Sequence, residues 1–145
     1  MKYFFDTSTL VKIYHKEAGT EKALSIYKSQ NSIVISELSK IEFISTVHRK
    51  FRDTEINEEV LNKVLEKFLF DIDNRYEILI FSSMVINEAF DLICKYSKKK
   101  ALRTLDSIQL AFFEIYCDDS DILVCSDIKL GEIAQLENRK VLTLK

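Results

Sequence analysis

The sequence predicts an α/β protein: a three-layer α/β/α sandwich with a mostly parallel central sheet. Short apolar runs rich in β-branched and aromatic residues alternate along the chain with longer segments of helical periodicity. The runs at 33–35 and 122–125 are apolar without interruption, which is typical of parallel strands buried on both faces. The 145 residues include no proline and only two glycines, and no stretch resembles a linker. We therefore expect a single domain over residues 1–145.

The first part of the chain predicts one strand and two helices. Residues 2–5, with two phenylalanines, form a strand that stops at Asp6. A helix follows from about 7 to 15, and after a turn at Gly19 a second helix runs from about 20 to 29.

A second strand and a long helix come next. Residues 32–35 form the strand, and Ser36 stands where a helix N-cap belongs. The helix should extend to about Arg52. Its expected apolar face includes Ile41, Ile44, Val47 and Phe51. Glu42 lies opposite that apolar arc at about 100° per residue, so the helical pattern alone places it in solvent.

The middle of the chain predicts two more helices and a third strand. Asn57 can cap a helix with a clear apolar stripe. Residues 76–81 form the strand, and Ser82 or Ser83 can cap a helix that ends at about Lys98.

The last part of the chain completes the alternation. Thr104 can cap a helix over 105–117, which is apolar nearly all round and so belongs in an interior. A strand at 122–125, a helix at 128–137 and a closing strand at 141–144 follow.

Composition argues against several classes of protein. With 21 basic and 23 acidic residues the formal net charge is −2, which argues against a general polycation that coats nucleic acid. The three cysteines form no C-x-x-C pair, so neither a disulfide scaffold nor a zinc knuckle is expected, and a reduced cytoplasmic setting is favoured. The chain reaches an acid at residue 6, too early for a signal peptide, and no apolar run approaches the ~18 residues of a membrane span.

Acidic residues follow several of the predicted strands, at the edge where open α/β sheets bind their ligands. Asp6 follows the first strand, Asp127 follows the strand at 122–125, and Glu42 lies in the helix after the second strand. Asp106 stands in the first turn of the most apolar helix. Each aspartate could instead serve only as a helix-entry residue, since acids favour the positive end of the helix dipole by ~0.3–1 kcal/mol.

Taken together, the acids predict a metal site. Converging carboxylates repel one another and raise one another's pKa unless a cation neutralises them. Mg²⁺ prefers oxygen ligands, and two ions at one site can stabilise both oxygens of a phosphoryl displacement, so the number of ions stays open. The two histidines, His15 and His48, do not follow strands, and glycine-rich phosphate loops are absent.

Four segments resemble the motifs of PIN-domain ribonucleases, specifically the VapC-type toxins of toxin–antitoxin systems. They are residues 6–12, 36–43, 102–111 and 123–130. The third segment, LRTLDSIQLA, is the most specific, and the four occur in the order that the family shows. The resemblance implies a PIN-like fold over essentially the whole chain.

The resemblance also implies an endoribonuclease that depends on Mg²⁺ or Mn²⁺ and cuts single-stranded RNA. Its catalytic and metal-holding acids would be Asp6, Glu42, Asp106 and Asp127. Asp6 and Asp106 would be the most direct ligands, Ser8 would help to hold the first acid, and Ser126 would orient the fourth. Gln109 stands where the family often has histidine, at a position that is not a ligand.

The implied partners are an RNA, a small protein and a second copy of the chain. The substrate would be tRNA, rRNA or mRNA. Its phosphates would be bound by Lys99, Lys100, Arg103 and Arg49, although such basic residues can also be solvated helix ends. A small cognate antitoxin would lie in an apolar groove of the early helices, and the toxin would be a homodimer. That groove would be lined by Leu10, Val11, Ile13 and Tyr14.

Three other functions match parts of this pattern. A haloacid-type phosphatase also has an aspartate after its first strand, but it needs a second acid two residues on, where this chain has Ser8. A receiver domain needs paired acids there and a lysine after a late strand, and this chain shows neither. A non-catalytic PIN-like module that binds RNA or protein would share the fold, and only the intact acids argue against it.

Overall fold

The computed structural model describes residues 1–145 and contains five strands and seven helices. The strands are β1 (Lys2–Phe5), β2 (Ser32–Ser36), β3 (Tyr76–Leu79), β4 (Ile122–Cys125) and β5 (Lys140–Thr143). The helices are α1 (Thr7–Tyr14), α2 (Thr20–Lys28), α3 (Glu37–Arg52), α4 (Glu58–Asn74), α5 (Ser83–Tyr96), α6 (Thr104–Tyr116) and α7 (Ile128–Leu136). No helix has both the length and the apolar character that a membrane crossing requires.

The five strands form one parallel sheet in the order β3-β2-β1-β4-β5, which confirms the predicted α/β sandwich. β1 lies at the centre, where Phe4 pairs in register with Val34 of β2 and with Leu123 of β4. The chain builds outward from β1 to β3 and then adds β4 and β5 on the other side of β1. The strand order therefore reverses between β1 and β4, which leaves a crevice beyond the carboxyl ends of these two strands.

Each face of the sheet has its own layer of helices and its own apolar core. Phe4 and Leu123 belong to the core under α5, α6 and α7. Phe5 and Val124 belong to the core under α1, α2, α3 and α4. Successive residues of the central strands thus point to opposite layers, and all four are fully buried. This two-sided burial is the reason that the strands are apolar without alternation.

The buried face of α3 differs from the face that its apolar pattern predicts. The predicted stripe includes Ile41 and Phe51, but these residues are 72% and 38% exposed. The buried residues are Ser39, Phe43 and Val47, spaced four apart. The hydroxyl of Ser39 is buried because polar side chains on neighbouring elements bind it, and a pattern of apolar residues gives no sign of such contacts.

Two element boundaries also differ from prediction. α6 begins at Thr104 with Arg103 as its N-cap residue, so Thr104 is the first helical residue and not the cap. Arg103 takes an extended conformation and turns its guanidinium toward Asp106 in the first turn. β3 ends at Leu79 and not at Phe81, since β3 is an edge strand and the chain leaves the sheet there.

The apolar residues of α1 do not form the surface groove expected for an antitoxin. Leu10 and Val11 are 0% and 4% exposed and belong to the core. Ile13 and Tyr14 pack against the same core, and the Tyr14 hydroxyl donates to the buried Asp71. The apolar stripe of α1 is interior, so this prediction was wrong.

Candidate active site

An open, polar pocket lies in the crevice beyond β1 and β4. All four predicted acids line it: Asp6, Glu42, Asp106 and Asp127. Val11 is the one hydrophobic residue among its walls. The acids come from four separate segments of the chain, so only the folded sheet brings them together.

Asp6 follows β1 and caps α1, so the local sequence determines its position. One carboxylate oxygen accepts the Thr9 N–H at 2.8 Å, which is an N-cap hydrogen bond. The Ser8 hydroxyl lies 2.8 Å from both oxygens of Asp6. Ser8 Oγ in turn accepts the backbone N–H of Ser126 at 3.1 Å. Ser8 therefore connects the two segments that follow β1 and β4.

Burial raises the pKa of Asp6 to about 6. The residue is 5% exposed, and the loss of hydration outweighs the hydrogen bonds from Thr9 and Ser8, which lower the pKa. The negative charge of Asp106 raises the pKa further, so the two carboxylates interact across the pocket. A buried acid of this kind needs a cation to remain charged at low cost.

Glu42 does not point into solvent, contrary to the helical pattern. The residue is half-buried, and its Oε1 accepts the Gln109 amide N–H at 2.7 Å and the Thr7 hydroxyl at 2.9 Å. The helical pattern predicted a solvent-exposed Glu42, but polar side chains of other elements cover this part of α3. Gln109 is the partner that the motifs did not reveal. The sequence does contain a sign of this role, since Gln109 is an amide on a helix that is apolar nearly all round. A buried amide requires hydrogen-bond partners, so such a residue predicts polar contacts in the interior.

Asp127 follows β4 and caps α7. Its Oδ1 accepts the Leu130 N–H at 3.1 Å. The preceding hydroxyl, Ser126 Oγ, is buried and has no hydrogen-bond partner. The structure therefore gives the Ser126 hydroxyl no part in orienting Asp127, contrary to expectation, and the first turn of α7 orients the acid.

Arg103 places a cation beside two of the acids. Its Nε donates to Asp106 Oδ2 at 2.9 Å, and its Nη2 lies 3.5 Å from Asp127 Oδ2. The Arg103 side chain is 76% exposed, so solvent screens these ion pairs. Arg103 thus bridges Asp106 and Asp127 from the solvent side of the pocket.

The other basic residues expected at an RNA site differ in their distance from the acids. Arg49 lines the same pocket, together with its neighbour Lys50. Lys100 forms an ion pair with a glutamate of α7 at 3.3 Å, and Lys99 is exposed outside the pocket. Of the four predicted residues, the structure brings Arg49 and Arg103 to the acids.

The donor set fits a hard divalent cation. The acids supply only oxygen ligands, and Glu42 Oε2 and Asp106 Oδ1 accept no hydrogen bond from the protein. No three acidic, histidine or cysteine side chains converge closely enough to bind one ion together. Mg²⁺ needs only one or two direct carboxylates and keeps several waters, through which the remaining acids can act.

Several solved structures have a similar fold. Among solved structures, a chain of the VapBC2 complex from Rickettsia felis, bound to a DNA fragment from its promoter, has 20% identity and a TM-score of 0.70, with 100% of both chains covered. A chain of FitAcB from Neisseria gonorrhoeae has 16% identity and a TM-score of 0.74, covering 97% of this chain and 96% of its own. VapC20 from Mycobacterium tuberculosis has 11% identity and a TM-score of 0.60, covering 78% and 82%.

The family assignment comes from the sequence match, because identities this low show the fold alone. None of the curated proteins compared with the chain matches it significantly. The PIN domain family matches residues 3–136, a span that includes all four motif segments and the four acids of the pocket. This chain belongs to the PIN domain family.

Proposed function

We propose that this protein is a metal-dependent endoribonuclease that hydrolyses phosphodiester bonds of single-stranded RNA. The observation that carries the proposal is the meeting of four acids, from four segments of the chain, in one polar pocket where the strand order reverses. Such a cluster costs stability, because its members repel one another. It is also the ligand set that divalent cations use in phosphoryl transfer.

The family supports the same activity. PIN domains of the VapC type are typically nucleases, and the family generally uses a divalent metal. One protein of similar structure, VapC20 from Mycobacterium tuberculosis, is described as a sarcin–ricin loop cleaving toxin. For the present chain we propose an RNA substrate, which is a tRNA, an rRNA or an mRNA.

Asp6 and Asp106 would hold Mg²⁺ or Mn²⁺ most directly, with Glu42 and Asp127 completing the site. When bound, such a cation lowers the pKa of a water and offsets the charge that develops on the phosphate. The protein contributes fixed positions: the first turn of α1 holds Asp6, and the first turn of α7 holds Asp127. Glu42 Oε2, which has no protein donor, can accept a hydrogen bond from the attacking water.

Arg49 and Arg103 would bind the phosphates that flank the cleaved bond, since both line the pocket. For this role Arg103 exchanges its carboxylate partners for a phosphate, and its exposure permits the movement. Lys99 and Lys100 lie outside the pocket, so they would act through the longer-range attraction of the RNA backbone.

We further propose that the protein is the toxin of a toxin–antitoxin pair and forms a homodimer in the cytoplasm. Similar structures include VapBC from Salmonella typhimurium bound to DNA and a toxin–antitoxin complex from Klebsiella pneumoniae. A small cognate antitoxin would restrain the nuclease. Because the apolar face of α1 is interior, the antitoxin would bind a different surface.

A second candidate is a PIN domain that binds RNA or protein without cutting it. The Arg103 bridge favours this candidate, because its positive charge offsets part of the negative charge of Asp106 and Asp127 without a metal ion. Asp6 and Glu42 have no such cationic partner, and this difference favours the nuclease.

A cleavage assay with purified protein distinguishes the two candidates. Single-stranded RNA is incubated with Mg²⁺, with Mn²⁺ or with EDTA, using the wild type, Asp6→Asn and Asp106→Asn. We expect cleavage only with metal, and a loss of about 100-fold or more in both variants. Asp91→Asn, which changes an exposed acid of α5, is the matched control.

Two results would count against the nuclease. Cleavage that persists in EDTA and in both pocket variants would exclude the proposed mechanism. A shift in RNA mobility without fragments, in every metal condition, would identify the binding module.

A further inference from the structure

We propose that Gln109, together with Thr7, is a positioning residue that holds Glu42 so that one oxygen, Oε2, faces the pocket. The inference rests on the proposed nuclease function. Gln109 lies in α6, one turn after Asp106, and is 3% exposed. It does not reach the reacting atoms and acts through the carboxylate of Glu42.

The Gln109 amide is fully hydrogen-bonded, as a buried amide must be. Its Oε1 accepts the Ser36 hydroxyl at 2.9 Å. Its Nε2 lies 2.7 Å from Glu42 Oε1, 2.9 Å from Ser39 Oγ and 3.1 Å from Thr7 Oγ1. These partners lie in α1 and in or just before α3. The Gln109 side chain of α6 therefore connects the three segments that carry Asp6, Glu42 and Asp106.

The distances between these atoms favour one assignment of donors and acceptors. Because Ser36 donates to Gln109, the Ser39 hydroxyl donates to Ser36 Oγ at 3.0 Å. Ser39 Oγ can then accept from Gln109. The Thr7 hydroxyl lies 2.9 Å from Glu42 Oε1 and 3.3 Å from Ser39 Oγ, so it donates to the nearer, charged oxygen of Glu42. Each hydroxyl proton is used once. Turning the amide over would place its oxygen against Glu42 Oε1 at 2.7 Å, two acceptors in contact, so the carboxylate itself sets the orientation of the amide.

The consequence lies in the difference between the two oxygens of Glu42. Oε1 accepts from both Gln109 and Thr7, whereas Oε2 accepts from neither. A glutamate has three side-chain torsions and loses substantial rotamer entropy when it is ordered. Two donors on one oxygen supply that order in advance, and they leave Oε2 available to a metal ion, or to water bound to one.

The test compares Gln109→Met and Gln109→Glu with the wild type. Methionine keeps the volume of the side chain and removes every hydrogen bond. Glutamate keeps the shape and the Ser36 contact but replaces the donors to Glu42 with a negative charge. Gln135→Met, at an exposed position of α7, is the matched control.

Three quantities are measured for each protein. They are the Mn²⁺ affinity of the RNA-free protein, the kcat and KM of RNA cleavage, and the thermal unfolding midpoint. We expect a fall of about 10- to 100-fold in Mn²⁺ affinity and in kcat for both Gln109 variants, which is typical of residues that orient ligands. KM should change by less than about 3-fold, because Gln109 does not contact RNA.

The outcomes separate this inference from the function on which it rests. If the wild type neither binds Mn²⁺ nor cleaves RNA, the proposed function fails. If the wild type does both and the Gln109 variants match it, or lose only thermal stability, the positioning role is wrong. If Gln109→Met does not fold, Thr7→Val is measured in its place. This substitution replaces one hydroxyl by a methyl group and so removes the second hydrogen-bond donor to Glu42. The same losses in Thr7→Val support the role, and wild-type values overturn it.

Discussion

At the scale of single residues, two of the acids are both helix caps and walls of the pocket. Asp6 and Asp127 each use one oxygen to accept an N–H from the first turn of the following helix. The second oxygen is left for other partners. An acid directly after an apolar strand therefore predicts both roles, and they do not exclude each other. Glu42 has no such local signal, because its partners Thr7 and Gln109 are distant in sequence.

Arg103 is expected to compete with a metal ion for the acids. Arg103→Gln removes the positive charge beside Asp106 and Asp127, so the Mn²⁺ affinity of the RNA-free protein should rise. The gain should be about 1.5- to 5-fold, since an exposed ion pair is worth ~0.2–1 kcal/mol. Isothermal titration with Mn²⁺ measures it. Lys99→Gln makes the same charge change outside the pocket, and equal affinities in the two variants would show that Arg103 does not compete.

At the scale of elements, strands were easier to predict than helix faces. The central strands β1, β2 and β4 are buried on both sides, so their apolar runs are recognisable without knowledge of their neighbours. The inner face of α3 includes Ser39, whose partners lie on other segments, and a count of apolar residues cannot locate it. The start of α6 was misplaced for a related reason, because Arg103 takes the cap position without a side-chain cap bond.

A buried acid, Asp71, joins α4 to α1 and α2. It is 1% exposed and accepts the hydroxyls of Tyr14 at 2.6 Å and Tyr27 at 2.8 Å, together with the Lys67 ammonium at 2.9 Å. Asp71→Ala would leave these donors without their acceptor. We expect the free energy of unfolding to fall by about 2–4 kcal/mol.

Urea denaturation measures this loss. Asp73→Ala changes an exposed acid two residues along the same helix and should alter stability by less than about 0.5 kcal/mol. Equal effects of the two substitutions would mean that the hydrogen bonds of Asp71 contribute little.

Glu114 of α6 should make stability depend on pH. Burial raises the pKa of its carboxyl to about 7 from 4.5, against the opposing charge of Arg139. Nearby Glu137, Glu88 and Asp119 raise it further. Because the folded protein binds this proton more tightly than the unfolded chain, the associated stability is present below about pH 4.5 and is lost as pH rises toward 7.

The variant Glu114→Gln cannot titrate at this position. Its free energy of unfolding should therefore decline less than that of the wild type between about pH 5 and pH 7. Urea denaturation of both proteins across this range, with EDTA present, gives the comparison. Parallel pH profiles would show that Glu114 does not titrate differently in the folded state.

At the scale of the whole molecule, the reversal of strand order beside β1 creates the site. The sequence predicted which acids follow strands, and the family motifs added Glu42. It could not predict that Gln109 orders Glu42 or that Arg103 bridges Asp106 and Asp127. Those contacts bring together residues of different elements, and the distances between them depend on how the helices pack on the sheet. No local sequence pattern specifies that packing.

The central claim is that one pocket of carboxylates binds a divalent cation. Anomalous diffraction from crystals grown with Mn²⁺ tests it most directly, because it locates the ion without reference to activity. We expect a peak in the pocket in contact with oxygens of Asp6 and Asp106, and the Arg103 guanidinium moved away from Asp106. A pocket without Mn²⁺ at saturating concentration, with Arg103 still bridging Asp106 and Asp127, would contradict the account.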